Sequence, residues 1–449
     1  MAQARDRQLV LTMFMVGFGF HNDAWRSPSS RADEIGQLSL IRDMAQAAER
    51  ARLDAVFFAD SYGAKGLRDG NYRGASLYEP IAVMGALSGH TDKIGMIGTQ
   101  STSWSEPYTV ARQFASLDAL TGGRVGWNIV TSTRGNENVG RDEMPLPELR
   151  YRRAMEFVDV VTKLWDTWDA DAVVDDRANA LWVDPDRIRE INHRGEFFGV
   201  QGPLTIPRSP QEWPVMVQAG QSADGIELGS SYADIIYAVQ PEKAAAIEFY
   251  NMYKQRVRDK GRDPERVKIL PGIMPVVGAT QSEADDLAAE LADCIVESRA
   301  RDTLEKTLDL DVSDLEPGDR IPQERFIAGA NRVKRWYLFR DLAKELTLRE
   351  LMVHVSRSLG HRFLIGTPAS IADSMIDWFE ARACDGYNFN PPSVPEGMNN
   401  MFELLVPELQ ERGYFPTDYV GDTFRERSGL MVSDDDVARV RAKYVKTKP

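Results

Sequence analysis

Asn128 lies inside the apolar run RVGWNIVT (124–131), where an amide has no packing role. If that run is buried, the amide must find hydrogen-bond partners among neighbouring side chains or on a ligand. It belongs to a set of neutral polar residues that interrupt or follow apolar runs. AVFFAD (55–60) ends on Asp60 and continues as Ser61. IGMIGTQ (94–100) carries Thr99 and Gln100 and leads to Ser101 and Thr102. The run holding Asn128 exits through Thr131 and Ser132, and VMVQAG (215–220) exits through Gln221 and Ser222 towards Gly225. LVLTMFMVGF (9–18) leads into Phe20, His21, Asn22, Trp25 and Arg26. Neutral donors and acceptors dominate, and nucleophile–base pairs are scarce: the chain has no GxSxG elbow and no HExxH. Such a lining suits an organic cofactor with polar edges, such as a flavin, better than a hydrolytic triad. The segment Gly220–Gly225 opens a helix, and free backbone N–H groups at a helix start hold phosphate.

Taken singly, these residues have ordinary explanations. Asp60 can cap a turn, Thr99 can be a β-branched strand residue, Ser222 a helix N-cap and His21 a satisfied structural histidine. Their conjunction at the exits of several strands is what points to a site.

The elements that would position them follow from the hydrophobic rhythm. Eight apolar runs, at 9–18, 55–60, 94–100, 124–131, 215–220, 234–239, 268–278 and 385–392, alternate with amphipathic segments such as SLIRDMAQAAERARL (39–53) and PASIADSMIDWFEARA (368–383). Near-continuous apolar strands imply a parallel sheet covered on both faces, and eight βα units imply a TIM (β/α)8 barrel. An open doubly wound sheet is the alternative, weakened because no GxGxxG follows the first strand. In a barrel the chemistry gathers at the C-terminal strand ends, where the polar set falls. The chain reads as a single domain over 1–449, with insertions at about 132–212 and 283–362 and a C-terminal extension over 403–449. Long insertions in a compact barrel serve as lids, pocket walls or oligomer contacts, and 283–362 is the candidate closing element.

With 449 residues, 43% hydrophobic, the chain can bury a large core. A formal net charge of -14 argues against a nucleic-acid groove and against a basic membrane-binding face. No apolar run is long enough to span a bilayer. Cys294 and Cys384 are far apart and the five histidines do not cluster, so neither a disulfide framework nor a metal site is expected. These features suggest a reduced, cytoplasmic setting.

Six stretches together cover nearly the whole chain and carry a resemblance. They include LDAVFFADS, EPYTVARQFASLDALTGGRVGWNIVTS, LRYRRAMEFVDVVTKLWDTW and GHRFLIGTP. The other two are INHRGEFFGVQGPLTIPRSPQEWPVMVQAG and the tail from ACDGYNFNPP to FRERSGL. The chain resembles the luciferase-like flavin-dependent monooxygenases, within them the nitrilotriacetate monooxygenase component A and dibenzothiophene-sulfone monooxygenase group. The resemblance implies a bacterial-luciferase-type TIM barrel with insertions. It also implies reduced FMN (FMNH2) supplied by a separate NAD(P)H:flavin reductase, O2 as co-substrate, and a homodimer or homotetramer. Carried over by position, the flavin contacts fall on Asp60, Thr99, Tyr151 and Ser222, with Asn128 beneath the ring. Thr131 and Ser132 then begin the wall around the cofactor.

One position departs from the family. Relatives carry a histidine four residues before the tyrosine of the RY pair, and this chain has Pro147, which offers no side-chain donor and no N–H. Arg150 or Arg152 could compensate at a phosphate. On this reading Thr99 and Asn128 steer the oxygen chemistry and His21 is a substrate-side proton donor or acceptor. Trp25, Trp104 and Phe20 could wall an aromatic pocket, which tilts the substrate towards a planar heteroaromatic compound. Arg26, Arg134 and Arg141 could instead receive carboxylates. The competing functions are deazaflavin-dependent hydride transfer on the same barrel and a flavin-binding protein without catalysis.

Overall fold

A computed structural model describes residues 7–64, 78–328 and 342–442. Nine strands form one sheet: β1 Val10–Phe14, β2 Ala55–Phe58, β3 Gly95–Ser101, β4 Val125–Val130, β5 Val215–Gln218, β6 Ile235–Ala238, β7 Lys268–Val277, β8 Arg362–Gly366 and β9 Gly386–Phe389. All the ladders within it are parallel. β1 to β7 pair in succession, β7 pairs β9 and β9 returns to β1, which closes an eight-stranded barrel. The eight apolar runs in the sequence are these eight strands. β8 is the ninth, and it pairs only with the outer half of β7, Ile273–Val277. Paired on one side, it is buried only at its ends, Arg362 and Gly366, and partly buried or exposed between them, and RFLIG is too short for periodicity to separate it from the charged segment before it.

The main helices are α1 Leu38–Arg50, α2 Pro80–Leu87, α3 Pro107–Thr121, α4 Pro147–Trp165, α5 Ala223–Tyr232, α6 Lys243–Asp259, α7 Gln281–Asp293, α8 Glu297–Leu308, α9 Leu348–Ser358 and α10 Pro368–Glu380, of which α8 and α9 belong to the insertion and the others cover the barrel. Proline opens α2, α3, α4 and α10, where its missing N–H costs nothing. The main core lies between barrel and helices. Trp127 shows how it is built: its ring faces outward, 6.0 Å from Phe114, 5.9 Å from Phe157 and 6.2 Å from Trp165. Side chains alternate along a strand, so Asn128 faces the barrel interior.

That interior is filled by Val10, Ala55, Phe57, Ile97, Val215, Val217, Ile235, Tyr237 and Leu270. Its floor is closed by the tail after α10, which sends Phe424 and Leu430 into the same cluster. Gly95 makes room for the plug: a Cβ there would lie 2.9 Å from the Phe424 ring. Within 283–362, α8 and α9 bury a separate apolar cluster that includes Leu304, Leu308, Phe326, Leu351 and Val355.

Candidate active site

The register puts Thr99 opposite Asn128, and Asn128 opposite Val217, at the same height in the interior. Thr99 Oγ1 donates to the Phe58 carbonyl at 2.8 Å, which commits its proton. Asn128 Nδ2 donates to Thr99 Oγ1 at 2.9 Å. The amide is therefore oriented by a hydroxyl that can only accept. Its Oδ1 is left buried with no hydrogen-bond partner. A buried carbonyl oxygen without a donor costs about 1–3 kcal/mol, so a ligand or a bound water is expected to supply the donor.

A second interior chain runs beside this pair. Tyr237 Oη donates to Thr12 Oγ1 at 3.1 Å, and Thr12 Oγ1 donates to Asn388 Oδ1 at 2.8 Å. Asn388 Nδ2 reaches Asn390 Oδ1 at 3.4 Å, and Asn390 Nδ2 is buried without a partner. None of these four was singled out from the sequence. The available signal was Asn388 and Asn390 at an i, i+2 spacing in DGYNFNPP, which puts two amides on one face of a buried strand.

Ser222 is the N-cap of α5, with its Oγ accepting from Gly225 N at 3.1 Å. The same oxygen lies 3.2 Å from Tyr151 Oη on α4. The turn between β5 and α5 is tight: a Cβ on Gly225 would sit 3.0 Å from the Gly220 backbone. Over this turn opens a cavity of about 490 Å³, lined by Thr131, Pro147, Arg150, Tyr151, Gly220 and Ser222 among others. Arg150 donates to the carbonyls of Pro145 at 3.0 Å and Ser132 at 2.5 Å, which fixes its guanidinium on the cavity wall. Arg152 instead pairs with Glu196 at 2.9 Å on the surface. Ser132 Oγ meets Ser101 Oγ at 2.7 Å, so its hydroxyl is used within the scaffold while Thr131 reaches the cavity. Asp60 is half-buried beyond β2 and accepts from Ser61 N at 2.8 Å. Burial, with a smaller contribution from the Glu79 charge, raises its pKa above the usual carboxylate range.

His21 is 1% exposed. Its Nδ1 accepts from Asp23 N at 3.3 Å, so the neutral ring carries its proton on Nε2, and Nε2 is buried without a partner. Burial, aided by the Arg357 charge, lowers the pKa to about 4. At neutral pH the ring is thus an uncharged hydrogen-bond donor and not an imidazolium acid. The sign for stability follows. Between pH 6.5 and 4 the unfolded chain binds a proton that the folded chain refuses, so acidification destabilises the fold. His21→Gln removes this term. On going from pH 6.5 to 4.5 the variant should lose about 2 kcal/mol less stability than the parent in urea titrations. Asp54 and Asp118, which burial pushes up to about 6, act in the opposite direction and are common to both proteins.

An aromatic run crosses the barrel mouth from Tyr237 to Phe57 (4.9 Å), Phe14 (5.2 Å), Phe20 (5.8 Å) and His361 (5.4 Å). Of the three aromatics proposed from the sequence as pocket walls, only Phe20 belongs to it. Trp25 is 40% exposed under Arg299, and Trp104 donates to the Arg134 carbonyl beneath Arg141. Arg26 donates to the Cys294 carbonyl.

The family model for luciferase-like monooxygenases matches residues 13–385. The chain belongs to the luciferase-like monooxygenase family. It is 39% identical to N-acetyl-S-(2-succino)cysteine monooxygenase of Bacillus subtilis (strain 168), over 95% of this chain and 98% of that one. It is 37% identical to nitrilotriacetate monooxygenase component A of Aminobacter aminovorans, over 97% of this chain and 99% of that one. Among solved structures, EDTA monooxygenase (EmoA) from Chelativorans sp. BNC1 superposes with a TM-score of 0.77 at 32% identity, covering 94% and 99% of the two chains. The likeness extends through barrel, insertions and tail, and the chain is a monooxygenase of this family.

Proposed function

We propose that this protein is the oxygenating component of a two-component system: it takes reduced FMN from a separate NAD(P)H:flavin reductase and uses O2 to oxidise a small organic substrate. The observation that carries this reading is the unsatisfied Oδ1 of Asn128, locked in place by Thr99 inside the barrel. The word "component" in a relative's name supports the reductase partner. Asp60, Thr99 and Asn128 would hold the edges of the ring system. Tyr151 and Ser222 would hold the phosphate at the start of α5, where backbone N–H groups and the helix dipole favour an anion. Bound there, reduced flavin supplies the electron pair that activates dioxygen. The chain's own residues place the reactants and exclude water. The aromatic run from Tyr237 to His361, whose Phe14–Phe20 and Phe20–His361 pairs meet edge to face, would offer an aromatic wall for part of the substrate. His21 presents a neutral Nε2–H to it. A cytoplasmic homodimer or homotetramer is the assembly expected.

The relatives at 37% and 39% identity are monooxygenases, which weighs against deazaflavin hydride transfer. Three titrations test the choice: FMN, riboflavin and a deazaflavin against the purified protein, followed by mixing with reduced FMN and air. Binding of FMN with a flavin absorbance transient distinct from the reduced and oxidised forms is expected. Deazaflavin binding alone, or a static oxidised complex, overturns the reading. Pro147→His restores the family's donor at the cavity wall, and it should tighten FMN about ten-fold while leaving riboflavin, which lacks the phosphate, unchanged.

A further inference from the structure

Among the described residues, Arg357 is a cation that faces no carboxylate. It lies on α9, within the segment 283–362, with its guanidinium carbon 4.2 Å from the centre of the Phe363 ring. One of its terminal nitrogens donates to His354 Nδ1 at 2.8 Å. Its Nε is buried without a partner. It makes no ion pair with any described acid, and the only influence on its pKa is burial, which lowers it. Retaining such a group uncompensated is costly, and buried charges are ordinarily paired.

What lies across from it is also a donor. Phe363 packs against the small apolar cluster that contains Ala24, three residues after His21, and Arg357 is close enough for its charge to help lower the pKa of His21, after burial. The Nδ1 of His21 is occupied by Asp23 N, which leaves its buried Nε2–H as a donor without a partner. The nearby acid is already committed: Asp23 accepts from Val296 N at 3.3 Å and faces Arg299 at 3.6 Å. Two buried N–H donors, one of them charged, neither with an acceptor among the described residues, describe a receptor for an oxyanion. The aromatic run ends at Phe20 and His361 beside the same loop.

We propose that Arg357 and His21 form a subsite for a carboxylate of the substrate, which makes Arg357 the residue that selects organic acids over their neutral analogues. The subsite rests on the flavin monooxygenase reading only for its purpose. It orients an acid so that the rest of the molecule lies along the aromatic run. A neutral acceptor such as a sulfone would satisfy the hydrogen bonds and leave the charge unpaired, so the acid is favoured.

Calorimetry of the protein, alone and with FMN, against succinate, tricarballylate, iminodiacetate and phthalate and against their methyl esters tests this. At least one acid should bind, with its ester ten-fold weaker or worse. Arg357→Gln should weaken the acid about ten- to hundred-fold with little effect on the ester, and Arg357→Lys should recover part of the loss. Arg349→Gln, an exposed change on the same helix, should have no effect. The proposal is overturned if acid and ester bind alike, if Arg357→Gln leaves the acid affinity within two-fold, or if none of the acids binds. Failure of FMN to bind would sink the flavin reading and leave this result standing.

Discussion

Asn128→Leu leaves the protein as stable as the parent, or slightly more so, while its reduced-FMN-dependent oxygenation falls about a hundred-fold. On the proposed reading the two effects have opposite signs because Asn128 would serve the ligand at the expense of the fold. The amide gives the scaffold one hydrogen bond, to Thr99, worth about 1 kcal/mol net. Against it stands a buried oxygen with no donor, costing about 1–3 kcal/mol. Leucine keeps the heavy-atom count and Cγ branch of asparagine, and its bulkier methyls would pack against Ile97, Val215 and Val217 in the interior cluster. Thermal melts should therefore show Tm unchanged or raised by a few degrees. Oxygen uptake coupled to substrate should collapse, because the acceptor proposed to fix the cofactor's edge is gone. A purely structural amide predicts the reverse: a clear drop in Tm and turnover per folded molecule intact. That reverse pattern would remove the observation on which the proposed function rests.

The barrel was legible because its strands are buried on both faces, which turns each into an apolar run with turns between. The same property hid which residues face inward. Where both faces are apolar, hydropathy carries no alternation, and only polar exceptions reveal the parity. Thr99 and Asn128 were visible as such exceptions in IGMIGTQ and RVGWNIVT. Thr12 and Tyr237 were not, since threonine and tyrosine are ordinary in strands. Asn388 and Asn390 carried a signal in their spacing that went unread. Trp25 and Trp104 showed the converse failure: closeness to a strand end in sequence does not place a side chain near the barrel axis. Trp25 is exposed and Trp104 partly buried, and each lies against an arginine instead of joining the aromatic run. Arg357 was beyond reach, because an arginine on an amphipathic helix reads as solvated until the packing around it is known. The floor plug was equally invisible. Nothing in FRERSGL marks Phe424 as the ring that fills the barrel from the far end.

That plug is held by its neighbour, and Arg425→Leu should destabilise the protein by about 3–5 kcal/mol. Arg425 is 1% exposed. Its guanidinium donates to the carbonyls of Trp213 (2.9 Å), Leu430 (2.8 Å) and Pro214 (3.1 Å), and to Asp234 Oδ2 at 2.8 Å. Pro214 and Asp234 immediately precede β5 and β6, so one side chain ties the tail to two barrel strands at their N-terminal ends. Leucine would bury three carbonyls without donors and leave Asp234 facing only Arg262, at 3.3 Å, and the Met216 N–H, at 2.9 Å. The urea midpoint measures the loss. Arg425→Lys, which keeps a charge for Asp234 but cannot reach all the carbonyls, should fall between parent and leucine variant. Because the site lies at the opposite end of the barrel, turnover per folded molecule and FMN affinity should be unchanged in both variants. A parent-like midpoint for Arg425→Leu would mean that the tail rests on the barrel without supporting it. A loss of FMN affinity at full stability would mean that the floor and the mouth of the barrel are coupled, and that the interior residues between Phe424 and Asn128 transmit strain along the axis.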